Sequence, residues 1–156
     1  MARNFIGSAT HRLDAKGRVS LPSDYREVLR ADGEPGKPDG FVLIPAAEDE
    51  PAHIAMTPSG HAELIAMLTQ EVYDSPEEEQ ATRMRYIGNA RPVSVEDGGR
   101  FVLSKDLRDM LGLTDQVRFV GDGGTFQIWE PGAHDARFGP AAAAKPKKLR
   151  LAGIGQ

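Results

Sequence analysis

The amino-acid sequence predicts an α+β fold, mainly β, in which two internal repeats close one barrel-like core about a pseudo-two-fold axis, with helices connecting them. Three observations predict it. The chain resembles itself at a spacing of 82 residues. Each copy passes from alternating apolar residues to helical spacing and back to alternation. The 156 residues, 40% hydrophobic and 27% charged, suit one domain or two small halves sharing a core.

The repeat places Thr10–Leu29 on Pro92–Leu111, THRLDAKGRVSLPSDYREVL against PVSVEDGGRFVLSKDLRDML. Six of twenty positions are identical: Gly17/Gly99, Arg18/Arg100, Leu21/Leu103, Asp24/Asp106, Arg26/Arg108 and Leu29/Leu111. Leu13/Val95, Asp14/Glu96, Val19/Phe101 and Val28/Met110 are conservative pairs. Further on, His53–His61 matches Phe126–His134, with Pro58 on Pro131 and His61 on His134.

Each copy has one local grammar. Thr10–Leu13 and Val93–Val95 read as strands, with Val19–Leu21 and Phe101–Leu103 as their returns in a tight hairpin. Gly17 and Gly99 supply the positive φ that the turn demands. Pro22-Ser23 and Ser104 then open helices, as a first-turn proline or a capping hydroxyl would. Tyr25, Val28 and Leu29, and in the second copy Leu107, Met110 and Leu111, form the apolar stripe of each helix. Gly33 and Gly112 end them. Two strands follow each helix, Phe41–Ile44 with Ile54–Met56, and Val117–Val120 with Phe126–Trp129, the second pair joined by Asp122-Gly123-Gly124. Neither unit alone buries both faces of two hairpins, so the two must share a core. Between them a helix is predicted over 60–73, with Leu64, Ile65, Leu68 and Val72 on one stripe. A second helix spans 77–88, with Asp74 or Ser75 as N-cap and three glutamates in the first turn, where the helix dipole favours them.

Composition excludes several chemistries. With no cysteine there is no disulfide, thiolate metal site or cysteine nucleophile. His11, His53, His61 and His134 contain no i,i+4 pair, so no metal and no other cofactor is expected. There is no phosphate-binding loop and no nucleophile elbow, so the chain does not read as an enzyme and no small-molecule substrate is expected. Glu48-Asp49-Glu50 and Glu77-Glu78-Glu79 read as solvated faces. No apolar run approaches the ~20 residues of a membrane span, and Met-Ala-Arg-Asn-Phe-Ile is no signal peptide, so a cytoplasmic protein is expected. Net charge is −4, but it is segregated. Residues 31–79 hold twelve acidic side chains against one basic, whereas 1–30 hold six basic against three acidic and 138–156 hold four basic and no acidic. A basic face is therefore available for nucleic acid despite the overall sign.

LDAKGRVSLPSDYR (13–26), with Asp14 four residues before Arg18, resembles the MraZ family of bacterial regulators. GRFVLSKDLRDMLGL (99–113) followed by VRFVGDGGTFQIWEP (117–131) resembles the second half of that family. The resemblance covers residues 5–138. It implies an AbrB/MazE-like double-split β-barrel, into which the repeats at about 8–60 and 90–135 and the helical connection at about 60–88 fit as one domain over 1–138; the tail over 139–156, rich in alanine, proline and lysine, is expected to be disordered. It further implies a ring-like homo-oligomer, associated with the nucleoid, that binds double-stranded promoter repeats of the division and cell-wall cluster. One departure stands out. The second motif of the family begins with aspartate, where this chain has Glu96; the extra methylene leaves a cross-turn pair with Arg100, in altered geometry.

Arginine at the exit of a tight turn projects from a rigid base, and its planar fork holds a phosphate or a guanine edge in two bonds. Arg18, Lys16, Arg12 and Arg100 are the expected DNA-binding residues, with Arg3 extending the surface. Asp14, Gly17, Glu96 and Gly99 are the expected supports. A carboxylate four residues earlier orients the fork, and the glycines permit close backbone approach. Lys16 faces Gly98 across the repeat, which favours the first loop. The acidic 31–79 segment is expected to face away from DNA. Two rival readings use the same residues. One is an antitoxin-like protein-interaction module of the AbrB/MazE type. The other is a small hydrolase using Asp14, Glu96 or Asp97.

Overall fold

A computed structural model describes residues 4–151. The order is β1 (Ser8–Arg12), β2 (Arg18–Ser20), α1 (Ser23–Asp32), β3 (Asp39–Ile44), β4 (Ala52–Met56), α2 (Pro58–Gln70), α3 (Pro76–Arg83), a π-helical turn (Met84–Gly88), β5 (Arg91–Val95), β6 (Arg100–Val102), α4 (Lys105–Leu111), β7 (Gln116–Gly121), β8 (Thr125–Trp129) and α5 (Pro131–Phe138). The fold is α+β. Six strands form a curled antiparallel half-barrel in the order β1-β7-β8-β4-β3-β5, and β2 pairs with β6 in a separate two-stranded ribbon. Exchanging β1 with β5, β7 with β3 and β8 with β4 leaves the order of the large sheet unchanged. The register obeys the same exchange. Val19 pairs with Phe101 and Ile54 with Gln127, each residue opposite its own counterpart in the sequence repeat.

The expected first hairpin of each copy is corrected. The tight turns form, closed by the amide of Asp14 on the Arg18 carbonyl (3.1 Å) and of Glu96 on the Arg100 carbonyl (2.9 Å). The strands then part. β1 ladders with β7 and β5 with β3, while β2 and β6 ladder with each other. The reason is hydrogen-bond accounting: Leu13 donates to Asp115, and the Gly17 and Gly99 carbonyls are taken by Leu103 (2.7 Å) and Leu21 (2.8 Å). The second hairpins, β3·β4 and β7·β8, form as expected, the latter turning through Gly123 at φ 81°.

Helix details differ too. α2 begins two residues earlier than predicted, because Thr57 caps the Gly60 amide (2.9 Å), and it ends at Gln70. Val72 therefore leaves the expected stripe and is 87% exposed, while Leu68 is buried. Ser75 is the N-cap of α3, its hydroxyl accepting from the Glu78 amide while the Glu78 carboxylate accepts from Asp74. The single helix predicted over 77–88 changes to π geometry at Met84. Ser104 stands at the N-cap of α4 but makes no capping bond; its hydroxyl donates to Asp106 instead. Gly112 is a left-handed C-cap at φ 67°, whereas Gly33 is extended.

The core lies between ribbon, sheet and α1. Val19 and Phe101 point inward from the ribbon into a cluster with Phe5, Tyr25, Phe41, Phe119 and Phe126. Phe101 meets Phe41 edge-to-face at 5.2 Å, and Phe126 meets Phe41 at 5.3 Å. Each buried phenyl contributes ~1.5–3 kcal/mol, so the ribbon is anchored through its inner face. Tyr25 donates to the Gly7 carbonyl (2.7 Å), and burial pushes its hydroxyl up to about 12. His53 is fully buried: Nδ1 accepts from the Ala46 amide and Nε2 donates to the Leu107 carbonyl, which fixes a neutral ring. Burial accordingly lowers its pKa below the usual histidine value. Trp129 belongs to the core, packed on His134 and Phe138. His61 donates to the Tyr86 carbonyl. Residues 139–151 carry no helix or strand. The remainder of the expected tail, 152–156, and Arg3 lie outside the described residues.

Candidate nucleic-acid interface

The ribbon alternates strictly. Val19 and Phe101 are buried, so Arg18, Ser20, Arg100 and Val102 share the outer face. Arg18 is opposite Val102 and Arg100 is opposite Ser20. The two arginines are thus diagonal neighbours, with Cα atoms roughly 7–8 Å apart for such a pair. The strand pairing, rather than either turn alone, brings them together. Arg12 is exposed at the end of β1, in a shallow groove with Asp14, Asp115 and Gln116. Lys16 is exposed in the first loop, and among the described residues its ammonium has no partner.

The first loop is built around Asp14. One carboxylate oxygen accepts from the Lys16 and Arg18 amides (2.9 and 2.8 Å), and the other accepts from Arg18 Nε at 2.6 Å. The Arg18 amide and side chain together bring the carboxyl down to about 2. The contact is made through Nε alone, and among the described residues the two terminal nitrogens of the guanidinium have no partner. The edge they form is the one that grips a phosphate or guanine in two bonds. A carboxylate held ionised and engaged three times is the reverse of the raised acid a hydrolase needs.

The second loop has the same backbone turn and different side-chain chemistry. Gly99 donates to the Glu96 carbonyl (2.8 Å), as Gly17 does to Asp14 (3.0 Å). The expected Glu96–Arg100 pair does not form: among the described residues neither side chain has a hydrogen-bond or ion-pair partner. The short aspartate reaches back to the turn amides and the arginine at once; the longer glutamate does not hold that position.

Gly17 and Gly99 have φ of 85° and 83°, and both are buried. The close approach they permit is intramolecular. A Cβ on Gly17 would stand 2.3 Å from the Leu103 carbonyl oxygen, and one on Gly99 would stand 2.6 Å from Cδ of Arg26. Arg26 and Arg108, beneath the loops, were not among the expected site residues, although their identity in the repeat marked them. Among the described residues no group of three or more His, Asp or Glu is placed to hold a metal, and no helix there is long and apolar enough to cross a membrane.

Known proteins resemble this chain over most of its length. A protein of Gluconacetobacter diazotrophicus named transcriptional regulator MraZ is 36% identical over 148 residues, covering 95% of this chain and 90% of its own. The chain belongs to the MraZ family. MraZ proteins of Methylocella silvestris (38% identity, 82% of this chain and 74% of theirs) and Ruegeria pomeroyi (36%, 86% and 82%) agree. No family model matches the sequence. The similarity spans both loops and the ribbon between them.

Proposed function

We propose that this protein is a DNA-binding transcriptional regulator whose β2·β6 ribbon and flanking loops face the double helix. The observation that carries the reading is the common outer face of Arg18 and Arg100. A two-stranded ribbon is an element that the major groove admits. Asp14 aims the Arg18 fork, Arg100 and Lys16 add unpaired cations, and Arg12 extends the basic surface beside the first loop. The transcriptional-regulator names of the relatives support the same reading. The fold fits a double-split barrel of two AbrB-like repeats in one domain over 1–138, with 139–156 outside it. The exchange symmetry of strand order and register supports that architecture.

One chain offers two loops and few phosphate contacts. Repeated loops at fixed spacing in a ring-like homo-oligomer bind repeated promoter sites with avidity. The cognate DNA on this reading is a set of promoter repeats of the division and cell-wall cluster, and the protein works in the cytoplasm on the nucleoid. The test is fluorescence anisotropy on DNA from upstream of the protein's own gene, at about 50 and 200 mM salt. Repeat-dependent binding that weakens steeply with salt and fails in Arg18→Ala is expected. Equal binding to scrambled DNA overturns the reading, and sedimentation of the free protein as a monomer removes the oligomer from it.

A further inference from the structure

Each loop is held from below by an arginine of the opposite repeat. Arg108, on α4, donates from Nε to the Leu103 carbonyl (3.0 Å) and from a terminal nitrogen to the Ala15 carbonyl of the first loop (3.4 Å). Arg26, on α1, donates to the Asp97 carbonyl of the second loop at 2.5 Å. The four residues correspond in pairs: Arg26 to Arg108 and Ala15 to Asp97 are both 82 apart. The glycines complete the arrangement, since Arg26 lies against Gly99 and Arg108 lies 3.1 Å from where a Gly17 Cβ would be. The Nε of Arg26 is buried and has no acceptor, so its position is set by the terminal nitrogen and by packing on the loop. Neither arginine forms a salt bridge among the described residues; Arg108 spends its fork on two backbone carbonyls and Arg26 gives one terminal nitrogen to one.

We infer that Arg26 and Arg108 are crossed positioning residues: Arg108 sets the shape of the loop that carries Arg18, and Arg26 sets the shape of the loop that carries Arg100. A guanidinium suits this role because it is planar, permanently charged and able to meet two carbonyls from one rigid plane. Lysine keeps the charge but lacks the fork. Geometry therefore separates this role from a point-charge contact to phosphate, for which lysine would substitute.

The consequence for DNA rests on the function proposed above, but the clamp itself is testable without DNA. Hydrogen exchange on the full-length free protein would compare wild type, Arg108→Lys and Arg26→Lys. Arg108→Lys is expected to speed exchange of the 14–18 amides about tenfold and to leave 96–100 unchanged, with Arg26→Lys doing the reverse. Exchange that rises equally in both loops, or in neither, overturns the crossed assignment. The second arm is a double-mutant cycle on upstream DNA. Arg108→Lys should weaken binding, and adding Arg18→Ala should then cost less than it does in wild type, whereas adding Arg100→Ala should cost as much as before. Full rescue of affinity by lysine makes Arg108 a phosphate contact and overturns the positioning role. Loss of DNA dependence on Arg18 with crossed exchange intact would instead defeat the DNA reading and leave the clamp standing.

Discussion

The two loops share a backbone and differ in what their side chains do with it. Both close through the same pair of main-chain hydrogen bonds, and both carry a left-handed glycine at the same turn position. In the first, Asp14 ties together two amides and the Arg18 side chain; in the second, Glu96 ties nothing and Arg100 stands alone. Turn geometry and arginine orientation are thus separable properties. Backbone and glycine specify the turn, and one methylene decides whether the arginine is pre-aimed. A pre-aimed fork loses less freedom on binding, so on the proposed DNA-facing role the first loop is the stronger grip and the second is an adaptable one.

Glycine substitution tests the shared part and has the largest expected effect. Gly17→Ala meets both a positive φ and a backbone oxygen, and is expected to lose about 2–4 kcal/mol of stability in thermal or denaturant unfolding. Gly99→Ala has the same positive φ, but its Cβ meets the Arg26 side chain rather than backbone, and it should cost less. Gly98→Ala, with open space and an ordinary φ, should cost almost nothing.

Carboxylate substitution tests the part that differs. Asp14→Asn keeps an acceptor for the turn amides but loses the charge that orients Arg18, and is expected to weaken upstream-DNA binding about three- to tenfold. Glu96→Gln should leave affinity within about twofold, because its carboxylate organises nothing. The converse change sharpens the comparison: Glu96→Asp should restore the missing pair and tighten binding by about threefold, an exposed-pair magnitude. Equal losses in Asp14→Asn and Glu96→Gln would erase the distinction between the loops.

The smallest effect is the pH dependence. The folded-state pKa of Asp14 lies near 2, below its ordinary value of 3.8. Its contribution is therefore fully present above pH ~4 and is lost as pH falls through the folded value. Unfolding curves should show this group's contribution unchanged between pH 5 and pH 8, and the difference between wild type and Asp14→Asn should shrink only in acid.

Much of this was legible in the sequence, and the missing parts share a cause. The repeat, the glycine turns and the second hairpins are local patterns, and they formed where spacing placed them. The exchange of β2 and β6 is not local: Arg18–Ser20 alternates equally well as the return of β1 or as the partner of a strand 82 residues away. Only the competition for the Gly17 and Gly99 carbonyls decides between them. The same exchange puts Arg18 and Arg100 on one face and brings Arg26 and Arg108 under the opposite loops, so the clamp was visible only as identities in the repeat. The failed Glu96–Arg100 pair has a finer origin, a side-chain length that preserves charge and loses reach. Val72 left its stripe because α2 stops at Gln70, where no glycine or proline signals the end.

The most direct test of the central claim is the affinity of Arg18→Ala and Arg100→Ala, measured side by side on upstream DNA across a salt titration. Losses in both variants are predicted, larger for Arg18→Ala and at least tenfold there, with the salt slope reduced by about 0.9 for each phosphate contact removed. Unchanged affinity in both variants would contradict the ribbon as the DNA-facing surface, and a larger loss for Arg100→Ala would contradict the aiming role of Asp14.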